Sequence, residues 1–137
     1  MHVSPYAFDV GSLSINYPVS RLSCGFPSPA DDFLESPLTL SQLLLKNPNA
    51  TFFVKASGSS MEGKGILDGA ILTVDRSRKP VDGCIVVAAI DGELTCKIID
   101  TKNNQLLSAN AEYAPIPITD AMDVVIQGVV TFAINTL

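Results

Sequence analysis

Three Asp-Gly pairs, Asp68-Gly69, Asp82-Gly83 and Asp91-Gly92, punctuate this chain between runs rich in Val and Ile. Asp-Gly readily supplies the positive φ angles of a tight reversal, so such a chain folds back on itself as antiparallel strands. Asp91-Gly92, between two apolar runs, is a strong hairpin signal. The predicted strands cover 51–55, 70–75, 84–90, 93–99, 105–109 and 123–134. One helix is predicted. Thr39-Leu40-Ser41-Gln42 spells a capping box, Leu40, Leu43 and Leu44 follow at helical spacing, and Asn47-Pro48 stops the run. Ahead of it, residues 1–35 carry Pro5, Pro18, Pro27 and Pro29 and little periodicity, which reads as an extended, flexible arm. The expected fold is mainly β, with one short helix and that arm. The pattern by itself also fits a generic β-barrel.

At 137 residues, one domain is expected, with hydrophobic residues at 47% and charged residues at 17%, a globular balance. The longest apolar stretch, 124–134, is broken by Gln127, Gly128 and Thr131 and is too short to span a membrane. Met1-His2-Val3-Ser4-Pro5 has neither a basic region nor a continuous apolar stretch, so a cytoplasmic protein is expected. A net charge of −5 argues against direct binding to nucleic acid, and the one basic cluster, Arg76, Arg78 and Lys79, reads as a solvated loop beside Pro80. Cys24, Cys84 and Cys96 form neither a disulfide framework nor a metal pattern, so no metal and no cofactor are expected. Cys84 and Cys96 lie in apolar runs and read as small packed hydrophobes.

Chemistry concentrates at two points. Ser60 lies in Ala56-Ser57-Gly58-Ser59-Ser60-Met61, just after Phe52-Phe53-Val54, and Lys97 lies in Glu93-Leu94-Thr95-Cys96-Lys97-Ile98-Ile99. The only histidine is His2, so a serine nucleophile in the domain needs another base, and a desolvated lysine can serve. At an ordinary lysine pKa only about one molecule in a few thousand is neutral at pH 7, so the base needs apolar walls. Val54, Val86, Val87, Leu94 and Ile98 are candidates. Taken alone, these residues have blander readings. Strand alternation puts Lys97 on a face with Glu93 and Thr95, as for a solvent-facing lysine. Ser60 sits in a serine-rich turn, where Ser57 and Ser59 are equal candidates on chemistry.

Phe53-Val54-Lys55-Ala56-Ser57-Gly58-Ser59-Ser60-Met61, Gly65-Ile66-Leu67-Asp68-Gly69 and Asp91-Gly92-Glu93-Leu94-Thr95-Cys96-Lys97 together resemble the catalytic core of the LexA/UmuD self-cleaving peptidases. Cys24-Gly25-Phe26-Pro27-Ser28-Pro29-Ala30 resembles the cleavage segment of the UmuD branch. The match runs from about Leu22 to near the C-terminus. Two positions depart from the pattern: Ser59, where relatives are often acidic, and Ala70, where an aspartate is common. Neither departure removes a proposed catalytic atom.

The resemblance implies a LexA-like catalytic β domain in which Ser60, immediately before methionine, is the nucleophile and Lys97 the base. It implies oxyanion donors at the Ser59 and Ser60 backbone N–H groups, and self-cleavage at the Cys24–Gly25 bond. A small Cys24 suits a tight pocket, Gly25 permits a bent path, and tethering raises the effective concentration of the bond. Residues 1–24 would then be the arm removed, and 25–137 the arm remainder with the peptidase and polymerase-accessory domain. The resemblance further implies a homodimer, stimulation by a RecA–single-stranded DNA filament, and a shortened form serving a Y-family (UmuC-like) polymerase in error-prone translesion synthesis during the SOS response. Three rivals stand beside this reading. A catalytically silent interaction module would keep Ser60 and Lys97 as relics. A LexA-type repressor would need a DNA-binding domain that the 24 residues ahead of the site are too few to form. A membrane signal peptidase would need an anchor.

Overall fold

The structure is a computed structural model and describes residues 1–7 and 39–137. The chain divides into two compact units, Met1–Phe8 with Asn47–Leu137, and Asp9–Lys46. In the second unit the described residues hold helix α1 (Leu40–Leu44). Its capping box is as predicted: Gln42 N donates to Thr39 Oγ1 at 3.1 Å, and Thr39 N donates to Gln42 Oε1 at 2.9 Å. Two of the helix's orphan donors are thereby paired locally.

The first unit is a sheet. Its strands are β1 (His2–Pro5), β2 (Thr51–Ser57), β3 (Ile71–Asp75), β4 (Ile85–Ile90), β5 (Glu93–Asp100), β6 (Gln105–Leu107), β7 (Ile116–Pro117) and β8 (Val124–Ile134). Neighbours run β1-β2-β3-β8-β4-β5-β6-β7, all antiparallel, and β1 also bridges β5. That bridge closes six strands into a barrel, which leaves fewer unpaired edges. The predicted β domain is therefore present, with six of its strands where the apolar runs and turns put them. At the β4–β5 hairpin, Asp91 and Gly92 have φ of 49° and 83°, the pair of positive angles a two-residue reversal requires.

Strand β4 explains the length of its apolar run. Val87 packs into one core with Val54, Met61, Leu72, Val74 and Cys96, while Val86 and Ala88 pack into a second with Leu106 and Val129. Both faces of the strand are buried, so the alternation expected of a half-exposed strand is missing.

The arm differs from expectation at its start. Residues 2–5 are extended but form a strand: His2 pairs with Ser57, Val3 with Ala56, Ser4 with Lys55 and Pro5 with Val54. Met1 and Val3 are buried in the first core. Periodicity could not reveal this, because four residues give too short a pattern. Proline at the last position costs little, since a strand's end can dispense with an amide donor. Cys24 and Gly25 lie outside the described residues.

Candidate active site

Gly58, with φ of 102°, turns the chain out of β2 and into Ser59-Ser60-Met61. Asp68 Oδ1 fixes that turn by accepting from Gly58 N at 2.8 Å. Met61 is fully buried and acts as the anchor that pulls Ser60 inward. Ser60 is 1% exposed, and among the described residues its Oγ has no hydrogen-bond partner. A buried hydroxyl without a partner is uncommon and needs a reason.

Lys97 lies on β5 opposite Val86 and is 5% exposed. The sequence alternation is right, but the face it defines is not a solvent face. Ile99, two residues on, packs with Val86, Ala88 and Leu106, so the Lys97 stem enters apolar surroundings. Its Nζ donates to Ser108 Oγ at 2.7 Å and lies 5.7 Å from the centre of the Tyr113 ring. A cavity of about 410 Å³ adjoins it, lined by Met1, His2, Ile90, Asp91, Glu93, Thr95 and Ile116 together with Lys97. A larger cavity of about 470 Å³, lined by Pro5, Phe52, Arg76 and others, includes neither Ser60 nor Lys97 in its wall. Of the two, only the smaller includes Lys97 in its wall, and neither includes Ser60.

One segment, residues 108–113, ties the two candidates together. Ser108 holds Lys97, and the next residue, Ala109, donates its N–H to Ser60 O at 2.7 Å. Asn110 Nδ2 donates to Ser59 O at 3.1 Å, and Tyr113 Oη lies 3.2 Å from Ser59 Oγ. Gly63 N donates in turn to Ala109 O at 2.9 Å, where a side chain at 63 would collide with that carbonyl. The sequence reading did not single out Ser108, Asn110 or Tyr113. Ser108 was legible only as the tail of a strand, and its partner follows from register.

Strand β1 contributes the remaining wall. The Met1 carbonyl accepts from Cys96 N at 2.9 Å and from Thr95 Oγ1 at 2.6 Å. Burial, and next the neighbouring Lys97 charge, lower the Met1 amino group from an ordinary 8.0 to about 6. At neutral pH that amine is largely uncharged. Burial pushes the Cys96 thiol up to about 12, which makes it an inert packing group.

Two members of the basic cluster, Arg76 and Arg78, meet side chains of β2 and β3. Arg76 stacks over Phe52 at 4.6 Å, and Arg78 Nε lies 3.7 Å from Asp75 Oδ2. Among the described residues no helix is long and apolar enough to cross a membrane.

The family model described as Peptidase S24-like matches residues 17–131. Protein ImpA of Salmonella typhimurium is 40% identical over 115 residues, covering 84% of this chain and 79% of that protein. Protein SamA of Salmonella typhimurium strain LT2 is 41% identical over 116 residues, covering 84% and 81%. LexA repressor 1 of Xanthomonas oryzae pv. oryzae is 38% identical over 117 residues, covering 83% of this chain and 58% of the repressor.

Proposed function

The chain belongs to the Peptidase S24-like family, and on that premise we propose that it is a Ser-Lys peptidase acting on its own Cys24–Gly25 bond. The observation that carries this reading is buried Ser60, its Oγ without a partner among the described residues and its main-chain carbonyl held by the same short segment that holds buried Lys97. Lysine is a proton acceptor only when uncharged.

In the proposed reaction Ser60 Oγ attacks the Cys24 carbonyl carbon while its proton passes to Lys97 Nζ. The carbonyl oxygen becomes an oxyanion facing the Ser59 and Ser60 N–H groups. Collapse breaks the C–N bond, and the Gly25 nitrogen leaves with the proton from Lys97. Water then attacks the acyl-serine, Lys97 takes one of its protons, and that proton returns to Ser60 as the ester opens. No group is consumed except water. The missing Ser60–Lys97 hydrogen bond fits a resting state, since such bonds often tighten only when substrate docks.

The wider role follows from the family resemblance. The shortened chain would act as a homodimeric accessory subunit of a Y-family polymerase in the cytoplasmic SOS response, with a RecA–single-stranded DNA filament stimulating cleavage. The test is intact mass after incubating full-length protein at pH 7 and pH 10, with and without activated RecA. A product beginning at Gly25, absent in Ser60→Ala and Lys97→Ala, is expected. A chain that stays whole under every condition overturns the peptidase reading and leaves the interaction module.

A further inference from the structure

We propose that Ser108 is a positioning residue for Lys97, holding its amine so that the lone pair faces Ser60; this rests on the peptidase reading above. Lysine carries its nitrogen on a flexible four-carbon stem, so burial alone leaves the lone pair without a fixed direction. The 2.7 Å bond to Ser108 Oγ supplies one. A neutral amine has two N–H bonds and one lone pair. With one N–H committed to Ser108 and the Met1 amine a second neighbour, the lone pair is restricted to the remaining directions. Ser60, whose Oγ has no partner among the described residues, is tied to the same segment through Ala109 N.

The placement of Ser108 is fixed from both sides. In the β5–β6 pairing Ile99 faces Leu106 and Ile98 faces Leu107, so the next step of the register sets Ser108 opposite Lys97. One peptide further on, Ala109 N is bonded to Ser60 O. A single peptide unit thus sets the lysine's partner against the backbone of the nucleophile. Thr95, the other hydroxyl on this face of β5, donates to the Met1 carbonyl. After proton transfer the ammonium keeps the same bond, because a hydroxyl oxygen accepts from either form of lysine.

Reaction of the full-length chain with a small alkyl fluorophosphonate tests this without requiring the cleavage segment to dock. The Ser60 Oγ–P bond forms, the P–F bond breaks, fluoride leaves, and the serine proton goes to Lys97. Labelling is followed by intact mass and located by peptide mass between pH 7 and pH 10. Ser108→Ala is expected to label Ser60 about 10- to 100-fold more slowly, as for a misplaced catalytic group. Ser108→Thr, which restores the hydroxyl, should return to within about threefold of wild type. In a Lys97→Ala background, Ser108→Ala should slow labelling no further, because the effect passes through the lysine. Wild-type labelling of Ser108→Ala, with Lys97→Ala slow, overturns the role of Ser108 and leaves the dyad intact. Ser108→Thr no faster than Ser108→Ala, or an equal loss in both backgrounds, shows a structural effect and also overturns it. Lys97→Ala at the wild-type rate, or label on Ser108 in place of Ser60, removes the dyad reading itself.

Discussion

Among the described residues, Ser60 and Lys97 differ from the other serines and lysines in burial, and burial has a stability cost that mutation can expose. A lysine amine at 5% exposure, with a hydroxyl as its close partner, is expensive to desolvate. Lys97→Met fills similar space without charge, so it should abolish self-cleavage yet raise the melting temperature by several degrees. Differential scanning calorimetry checks this, and a lower melting temperature would mean the site is less dry than its geometry implies. Cys96 gives a second residue-scale expectation. Its folded thiol is raised from an ordinary 9.0 to about 12, so the folded state holds its proton more tightly than the unfolded state does. The resulting stability is complete below about pH 9 and is lost as pH rises from 9 towards 12. Urea titrations at pH 8 and pH 10.5 should show a fall that Cys96→Ala lessens. In native protein at pH 8, iodoacetamide should leave Cys96 unmodified.

At the scale of elements, two short connections carry more than their length suggests. Asp75 closes β3 by accepting from Ser77 Oγ at 2.6 Å, Ser77 N at 2.8 Å and Asn47 Nδ2 at 2.8 Å. The Ser77 and Asn47 bonds hold its carboxyl below the ordinary 3.8. A depressed carboxylate stabilises the fold above its unfolded value, near pH 4, and that contribution disappears as pH falls through the folded value. Asp75→Asn should therefore lower the melting temperature at pH 7, with the gap to wild type narrowing below pH 4. A gap independent of pH would assign the loss to geometry alone. The other connection is the contact of Gly63 with Ala109, where an added Cβ would run into the Ala109 carbonyl. Gly63→Ala should cost about 1–3 kcal/mol, as other overpacked sites do. It should also slow self-cleavage, because residues 108–113 can no longer sit against the nucleophile loop. A variant as fast and stable as wild type would show that this loop yields freely.

For the whole molecule the decisive element is β1, which closes the barrel between β2 and β5 and buries Met1 and Val3. Two buried side chains of this size contribute roughly 3–5 kcal/mol together. The 25–137 fragment should still unfold cooperatively, but with a melting temperature roughly 10–20 °C below that of the full chain. An unchanged melting temperature would show that β1 adds nothing to the barrel. The sequence by itself determined what neighbouring residues settle among themselves. The Asp-Gly reversals, the capping box from Thr39 to Gln42 and six of the sheet's eight strands all depend on local dihedral preference and side-chain pattern. Resemblance to known peptidases added the choice of Ser60 over Ser57 and Ser59. Only the tertiary structure decided which face of β5 is dry, that Ser108 stands opposite Lys97, and that His2–Pro5 is a strand. Each of these depends on which distant segments pair and in what register. A one-residue slip of β6 would replace Ser108 with another residue while leaving every local preference unchanged. Lys97 is buried because a second apolar layer covers its side of the sheet, a layer assembled from β4, β6 and β8 that no window along β5 contains.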